Sequence, residues 1–162
     1  DNKPIWMSQV SLFTPDRDRL MQFYHNIFQT NPHRIVEVPV GEFGDNLFDI
    51  DNAKVQIGWF RLNRQSKVME ILQFLNPPTP QSMIEREPTS LGYSFSLEVS
   101  DIEAEYQRLK ALGVGFFSPP VKLGRFVQAY ARDIDGNIFS LRQPVDSDGP
   151  FSVKAYDKRG GL

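Results

Sequence analysis

The chain carries one pattern twice. A shift of 85 residues takes Asp16 to Asp101, Val10 and Leu12 to Phe95 and Leu97, and Tyr24 and Ile27 to Leu109 and Leu112. Apolar positions fall on apolar positions across a strand and a helix together. A repeat of this kind constrains the fold more than any single motif, since both halves must then use one order of elements.

The first copy opens with an alternating run over 5–13, the mark of a half-buried strand. The run meets Thr14-Pro15-Asp16, which reads as a helix start: a capping hydroxyl, a proline whose φ is already set, and an acid in the first turn. Leu20, Phe23, Tyr24 and Ile27 then recur at helical spacing and form one apolar stripe. Runs rich in β-formers follow at 34–40, 54–62 and 67–75, the last two joined by the polar turn 63–66 as a hairpin. Pro77, Pro78 and Pro80 stop regular structure. The second copy starts with alternation over 93–99 and continues with Ser100-Asp101-Ile102-Glu103, the form of a capping box. Ile102, Tyr106 and Leu109 make its helix stripe, and Gly113 is its stop. Runs at 115–117, 126–132 and 137–143 complete it, with Asp135-Gly136 predicting a two-residue hairpin between the last two.

Each half therefore reads β-α-β-β-β, and the fold class is α+β. One domain is expected over 1–146, with modules at about 5–76 and 91–144, a link at about 77–90, and an irregular tail at 147–162 that either covers the site or hangs free.

Charge and composition narrow the partners. With 18 basic and 20 acidic residues the net charge is −2, so no positive field draws in nucleic acid or an anionic membrane, and neither is expected as a partner. No apolar stretch approaches the ~20 residues needed to span a bilayer. The chain has no cysteine, which removes thiolate metal sites and cysteine nucleophiles together. The cytoplasm is the favoured compartment. The first residue is Asp and not Met, so a removed leader stays compatible with the sequence. Pairing of two chains into a homodimer is left open.

The order and spacing of several segments resemble the glyoxalase, bleomycin-resistance and extradiol-dioxygenase group, the vicinal oxygen chelate superfamily. The carriers are Val10-Ser11-Leu12 with Asp16 to Phe23-Tyr24, the strand Met69-Glu70-Ile71-Leu72, then Val99-Ser100-Asp101-Ile102, and Asp133-Ile134-Asp135-Gly136-Asn137, where Ile134 replaces the usual proline. The resemblance implies that each half gives a cupped mixed sheet and that the two cups face one shared cavity. It also implies four inward strand positions that hold a divalent ion in metal-using members. Carried over, these are Gln9, Glu70, Ser94 and Ser140. Two serines in place of ligands leave too little negative charge to offset the dehydration of such an ion. No metal and no other cofactor are expected. The dioxygenase option fails on histidine, because the only two, His25 and His33, lie on the first helix and just past it.

Glu70 is then either a rim carboxylate in water or a cavity-facing acid able to act as general base or to accept a hydrogen bond from a ligand. Gln9 is either a structural amide or the group that orients a carbonyl or hydroxyl. Ser94, Ser96 and Ser140 read as polar filling, since no histidine base accompanies them. The chain holds 13 Phe, 5 Tyr and 2 Trp, most of them needed as core. Trp59, Phe60, Phe74, Tyr93, Phe126 and Tyr130 fall on strands that would line the cups, and Arg61, Arg125 and Arg142 are candidates for an anion anchor. The expected site thus comprises Gln9 and Glu70 as chemical groups, with Trp59, Phe74, Tyr93, Ser94, Tyr130, Ser140 and Arg142 as ligand contacts. Two functions fit it: metal-independent binding of a small molecule, as in antibiotic-sequestering members, or a lyase or isomerase acting on a carbonyl compound with Glu70 as base.

Overall fold

The structure, a computed structural model, describes residues 7–63, 67–80, 87–89, 92–150 and 152–153. Ile5, most of the turn 63–66, part of the proline-rich link and the tail from 154 onward lie outside the described residues. The chain divides into two compact units, Asp1–Met83 and Ile84–Leu162.

The first unit runs β1 (Gln9–Phe13), α1 (Arg17–Phe28), β2 (Arg34–Val38), α2 (Glu42–Phe48), β3 (Lys54–Phe60) and β4 (Val68–Asn76). Its sheet has the order β1-β4-β3-β2, with β1 parallel to β4 and the other pairs antiparallel. The 67–75 run pairs with the 54–62 run as the polar turn predicts. Alternation then assigns two faces. One carries Leu12, Ile71 and Phe60 and is covered by α1 through Leu20, Met21, Tyr24 and Ile27, all buried. The edge of the Phe60 ring meets Phe28 there, with centroids 5.5 Å apart. The close approach of α1 also explains Gly58, where a Cβ would collide with the Met21 thioether. The other face carries Val55, Ile57 and Leu72, packed by Val38, Phe48, Trp59 and Phe74.

The second unit repeats this order. It runs β5 (Ser94–Glu98), α3 (Ile102–Ala111), β6 (Gly115–Phe116), β7 (Val121–Leu123), β8 (Phe126–Arg132) and β9 (Ile138–Pro144). The sheet order is β5-β9-β8-β6, with β7 on β8 and β5 parallel to β9. Leu97, Phe139, Leu141, Ala129 and Ala131 share the face next to α3, and Tyr106 of the helix meets the Phe116 ring at 4.8 Å. Both sheets with their helices make an α+β architecture. Among the described residues no helix is long and apolar enough to cross a membrane.

Four sequence expectations need correction. The helix caps are Asp16 and Asp101, not Thr14 and Ser100: their carboxylates accept from the Arg19 and Ala104 amides, each at 3.0 Å. Thr14 instead bonds the backbone of Asp16 just outside the helix. Leu112, matched to the buried Ile27, is exposed because α3 has already ended there. The β8–β9 connection is not a two-residue hairpin; Asp133 and Asn137 close it around Ile134, Asp135 and Gly136, the last at φ +78°. This is the three-residue turn in which glycine supplies the left-handed position. Finally, α2 and β7 are additional to the expected elements.

A second matching detail ties each helix to its sheet. The side-chain oxygen of Gln73 on β4 accepts from the Arg17 amide at 2.9 Å, and that of Gln143 on β9 accepts from the Ile102 amide at 2.8 Å. Capping aspartate and strand glutamine together satisfy two of the four amides that a helix start leaves open. Asp16→Ala and Asp101→Ala are each expected to cost about 1 kcal/mol. The check is a lower denaturant midpoint at unchanged slope, while Ser100→Ala stays within about 0.5 kcal/mol of the parent.

Candidate functional site

The face of the first sheet opposite α1 brings polar groups and aromatic rings into rows. Strand register sets Ser11, Glu70, Trp59 and Arg34 side by side across β1, β4, β3 and β2. Phe13, Leu72, Ile57 and Val36 form the next row. Glu70 is only 8% exposed, and its Oε2 accepts from Gln9 Nε2 at 2.8 Å and from the Ser11 hydroxyl at 2.5 Å. Gln9 Nε2 also donates to Ser11 Oγ at 3.2 Å. Among the described residues no donor reaches Glu70 Oε1. On the far side of the acid the Arg34 guanidinium lies 4.9 Å from the Trp59 ring centre. Phe13 is 54% exposed and runs nearly parallel to Phe74 at 6.2 Å, with Phe48 of α2 set edge-on to Phe74 at 4.9 Å. A buried acid thus sits between a polar edge and an aromatic shelf.

The matching face of the second sheet is built from hydroxyls. Ser96, Ser140 and Tyr130 share a row across β5, β9 and β8, and Glu98, Arg142 and Gln128 share the next. Ser140 is fully buried; its Oγ lies 2.8 Å from Ser96 Oγ and accepts from Gln128 Nε2 at 2.9 Å. The Arg142 guanidinium stacks 3.9 Å from the Phe126 ring centre, and its Nη2 lies 3.7 Å from Glu98. Glu98 in turn holds the tail, accepting from the Ser152 hydroxyl at 2.7 Å and the Val153 amide at 3.0 Å. The tail is therefore anchored as far as 153 and does not hang free there.

The structure brings the expected site residues together in two sets. Gln9, Glu70, Trp59 and Phe74 share the face of the first sheet away from α1; Ser94, Ser140, Tyr130 and Arg142 share the corresponding face of the second. One expected lining residue, Phe60, is misplaced. Phe60 belongs to the opposite face, since adjacent strand residues must point apart, and it is fully buried under α1. Tyr93 precedes β5 and is outside its ladder. Arg61 and Arg125 lie outside the strands, leaving Arg142 as the one of the three arginines on a sheet face. Ser11, Arg34 and Gln128 were missed, although Ser11 lies two places from Gln9 and alternation alone puts both on one face.

The donor set does not fit the divalent ion that the resemblance implies. One carboxylate, one amide and two hydroxyls supply too little charge, and Glu70 Oε2 and Ser140 Oγ are already engaged by N–H and O–H groups. Among the described residues no three of His, Cys, Asp and Glu lie close enough together to hold a metal.

Comparison with known proteins bears on the fold. No curated protein matches the sequence at a significant level. A glyoxalase-family protein from Bacillus cereus superposes with a TM-score of 0.78 at 23% identity, covering 90% of this chain and 97% of that one. A glyoxalase/bleomycin resistance protein/dioxygenase domain from Frankia gives 0.59 at 17% identity over 89% and 95% of the two chains. A genomically encoded fosfomycin resistance protein from Listeria monocytogenes gives 0.54 at 18% over 88% and 96%. Identities this low speak for the fold and not for a substrate. The family model matches residues 6–141, most of the chain, and on that match the chain belongs to the Glyoxalase/Bleomycin resistance protein/Dioxygenase superfamily.

Proposed function

We propose that the protein binds a small planar molecule on the Glu70 face of its first sheet, without a metal, and that Trp59 and the Phe13–Phe74 pair supply the apolar contact. The observation that carries this is the row Ser11, Glu70, Trp59, Arg34, in which a nearly buried acid with one unengaged oxygen adjoins an indole ring. Oε1 is not among the buried side-chain atoms that lack a partner, so it can be reached from solvent and is suited to a donor that arrives with the ligand. Apolar rings beside a few fixed polar groups are the usual make-up of a ligand site.

A screen of planar aromatic compounds by thermal unfolding tests this. A true ligand present at a hundredfold excess over its Kd adds about 2.7 kcal/mol of stability. We expect hits whose stabilisation is lost in Trp59→Ala and unchanged after dialysis against EDTA. A broad set with no hit overturns the binding proposal, and a loss on EDTA treatment that a divalent ion restores overturns its metal independence. The free Glu70 oxygen also suits a general base for a lyase or isomerase. In that case Glu70→Gln abolishes turnover while affinity stays within about tenfold of the parent, and unchanged turnover dismisses the base.

A further inference from the structure

Gln9 and Ser11 each turn a donor toward Glu70. A carboxylate can only accept, so the Gln9 amide must turn its nitrogen toward Glu70, which fixes the otherwise ambiguous orientation of that amide. Glu70 Oε2 and Ser11 Oγ lie on one side of Nε2 and only 2.5 Å from each other, so one N–H points between them. The single hydroxyl hydrogen of Ser11 goes to Glu70 as well. What the acid itself offers outward is Oε1, an acceptor that no donor reaches among the described residues. The cation in the row, Arg34, is stacked on Trp59 and stands two strands from Glu70, roughly 10 Å at the usual strand spacing.

We infer that this site selects planar ligands that present an O–H or N–H donor at the edge facing Glu70, and discriminates against anions and against ligands offering acceptors alone. The inference deepens the binding proposed above and rests on it. An ether or carbonyl placed there would leave the acid desolvated with nothing donated to it, and a carboxylate or phosphonate would add like-charge repulsion. A phenol or a protonated amine meets Glu70 Oε1.

The test uses three probes of one shape at neutral pH: naphthol, its methyl ether and naphthoate. Each is titrated into the full chain while the indole N–H resonance of Trp59, assigned with Trp59→Phe, reports occupancy at this face. Naphthol is expected to bind at least about tenfold more tightly than either of the others, the size of one hydrogen bond to a charged acceptor. In Glu70→Gln the side chain can turn an amide N–H outward, and the preference for naphthol is expected to shrink to within about threefold or to reverse. Equal affinity for all three in the parent protein overturns the donor rule and leaves binding standing. Tighter binding of the ether or of naphthoate overturns it as well. No shift of the Trp59 resonance with any probe overturns the binding proposal, and the donor rule with it. Should Glu70→Gln fail to fold, the ranking in the parent protein alone decides.

Discussion

Phe60→Ala is expected to destabilise the protein by about 3–5 kcal/mol while leaving the affinity of the folded fraction for an aromatic ligand unchanged. Phe60 is fully buried beneath α1 against Phe28, and its face of the sheet also carries Leu12 and Ile71, both fully buried. Truncation removes the ring from an interior that closes only partially around the gap, so the lost transfer energy and the remaining cavity both count. Against a total stability of about 5–15 kcal/mol this is a large fraction. Its neighbour Trp59 has the opposite assignment, half-buried on the face of Glu70. Trp59→Ala is therefore expected to act on binding first. Chemical denaturation and ligand titration of the two variants, side by side, separate the roles; a loss of affinity in Phe60→Ala at unchanged stability would return Phe60 to the site.

The duplication was legible because it shows in two independent periods at once. Strand alternation in Val10 and Leu12 and the helical stripe of Leu20, Tyr24 and Ile27 recur as Phe95 and Leu97 with Ile102, Tyr106 and Leu109, and all ten side chains turn toward a helix–sheet interface. Elements without such a period were lost. Helix α2 has only seven residues, contains Gly44, and begins at Gly41 without a side-chain cap. Gly44 is there because its Cα comes close to β3: a Cβ would stand 3.1 Å from the Ala53 carbonyl oxygen. Strand β7 is three exposed residues held by β8. The caps were misread for a different reason. Thr14-Pro15-Asp16 and Ser100-Asp101 each offer two capping side chains within a residue or two, and only the path of the chain decides which one lies beneath the third amide of the helix.

At the site, alternation alone is enough to add Ser11 to Gln9 and Gln128 to Tyr130, whereas neighbours on different strands depend on register. Trp59 beside Glu70, and Arg34 beside Trp59, follow from how β2, β3 and β4 pair, which no local pattern specifies. Including both Trp59 and Phe60 among the lining residues breached the two-residue period itself, and that error was avoidable from the sequence. The Glu98 anchor for Ser152 and Val153 joins residues more than fifty positions apart across a segment without periodicity, so nothing in the tail announced it.

Glu70→Leu is expected to separate stability from function most sharply. The acid lies among Leu72, Ile57 and Trp59, where a leucine of similar volume would pack, and its two donors are near the surface: Gln9 is exposed and Ser11 half-buried, so both can turn to water. Replacing a buried hydrogen-bonded group whose partners can rehydrate is nearly neutral or stabilising, and the variant is expected to fall no more than about 1 kcal/mol below the parent. Binding of naphthol, by contrast, loses its charged acceptor and is expected to weaken by about 1.5–3 kcal/mol, one to two orders of magnitude in Kd. A fold held together by this acid would give the reverse: several kcal/mol of lost stability with the affinity of the surviving folded protein intact. The denaturation midpoint and the Trp59 titration, measured on one preparation, therefore decide whether the first sheet keeps its acid for its own cohesion or for a ligand.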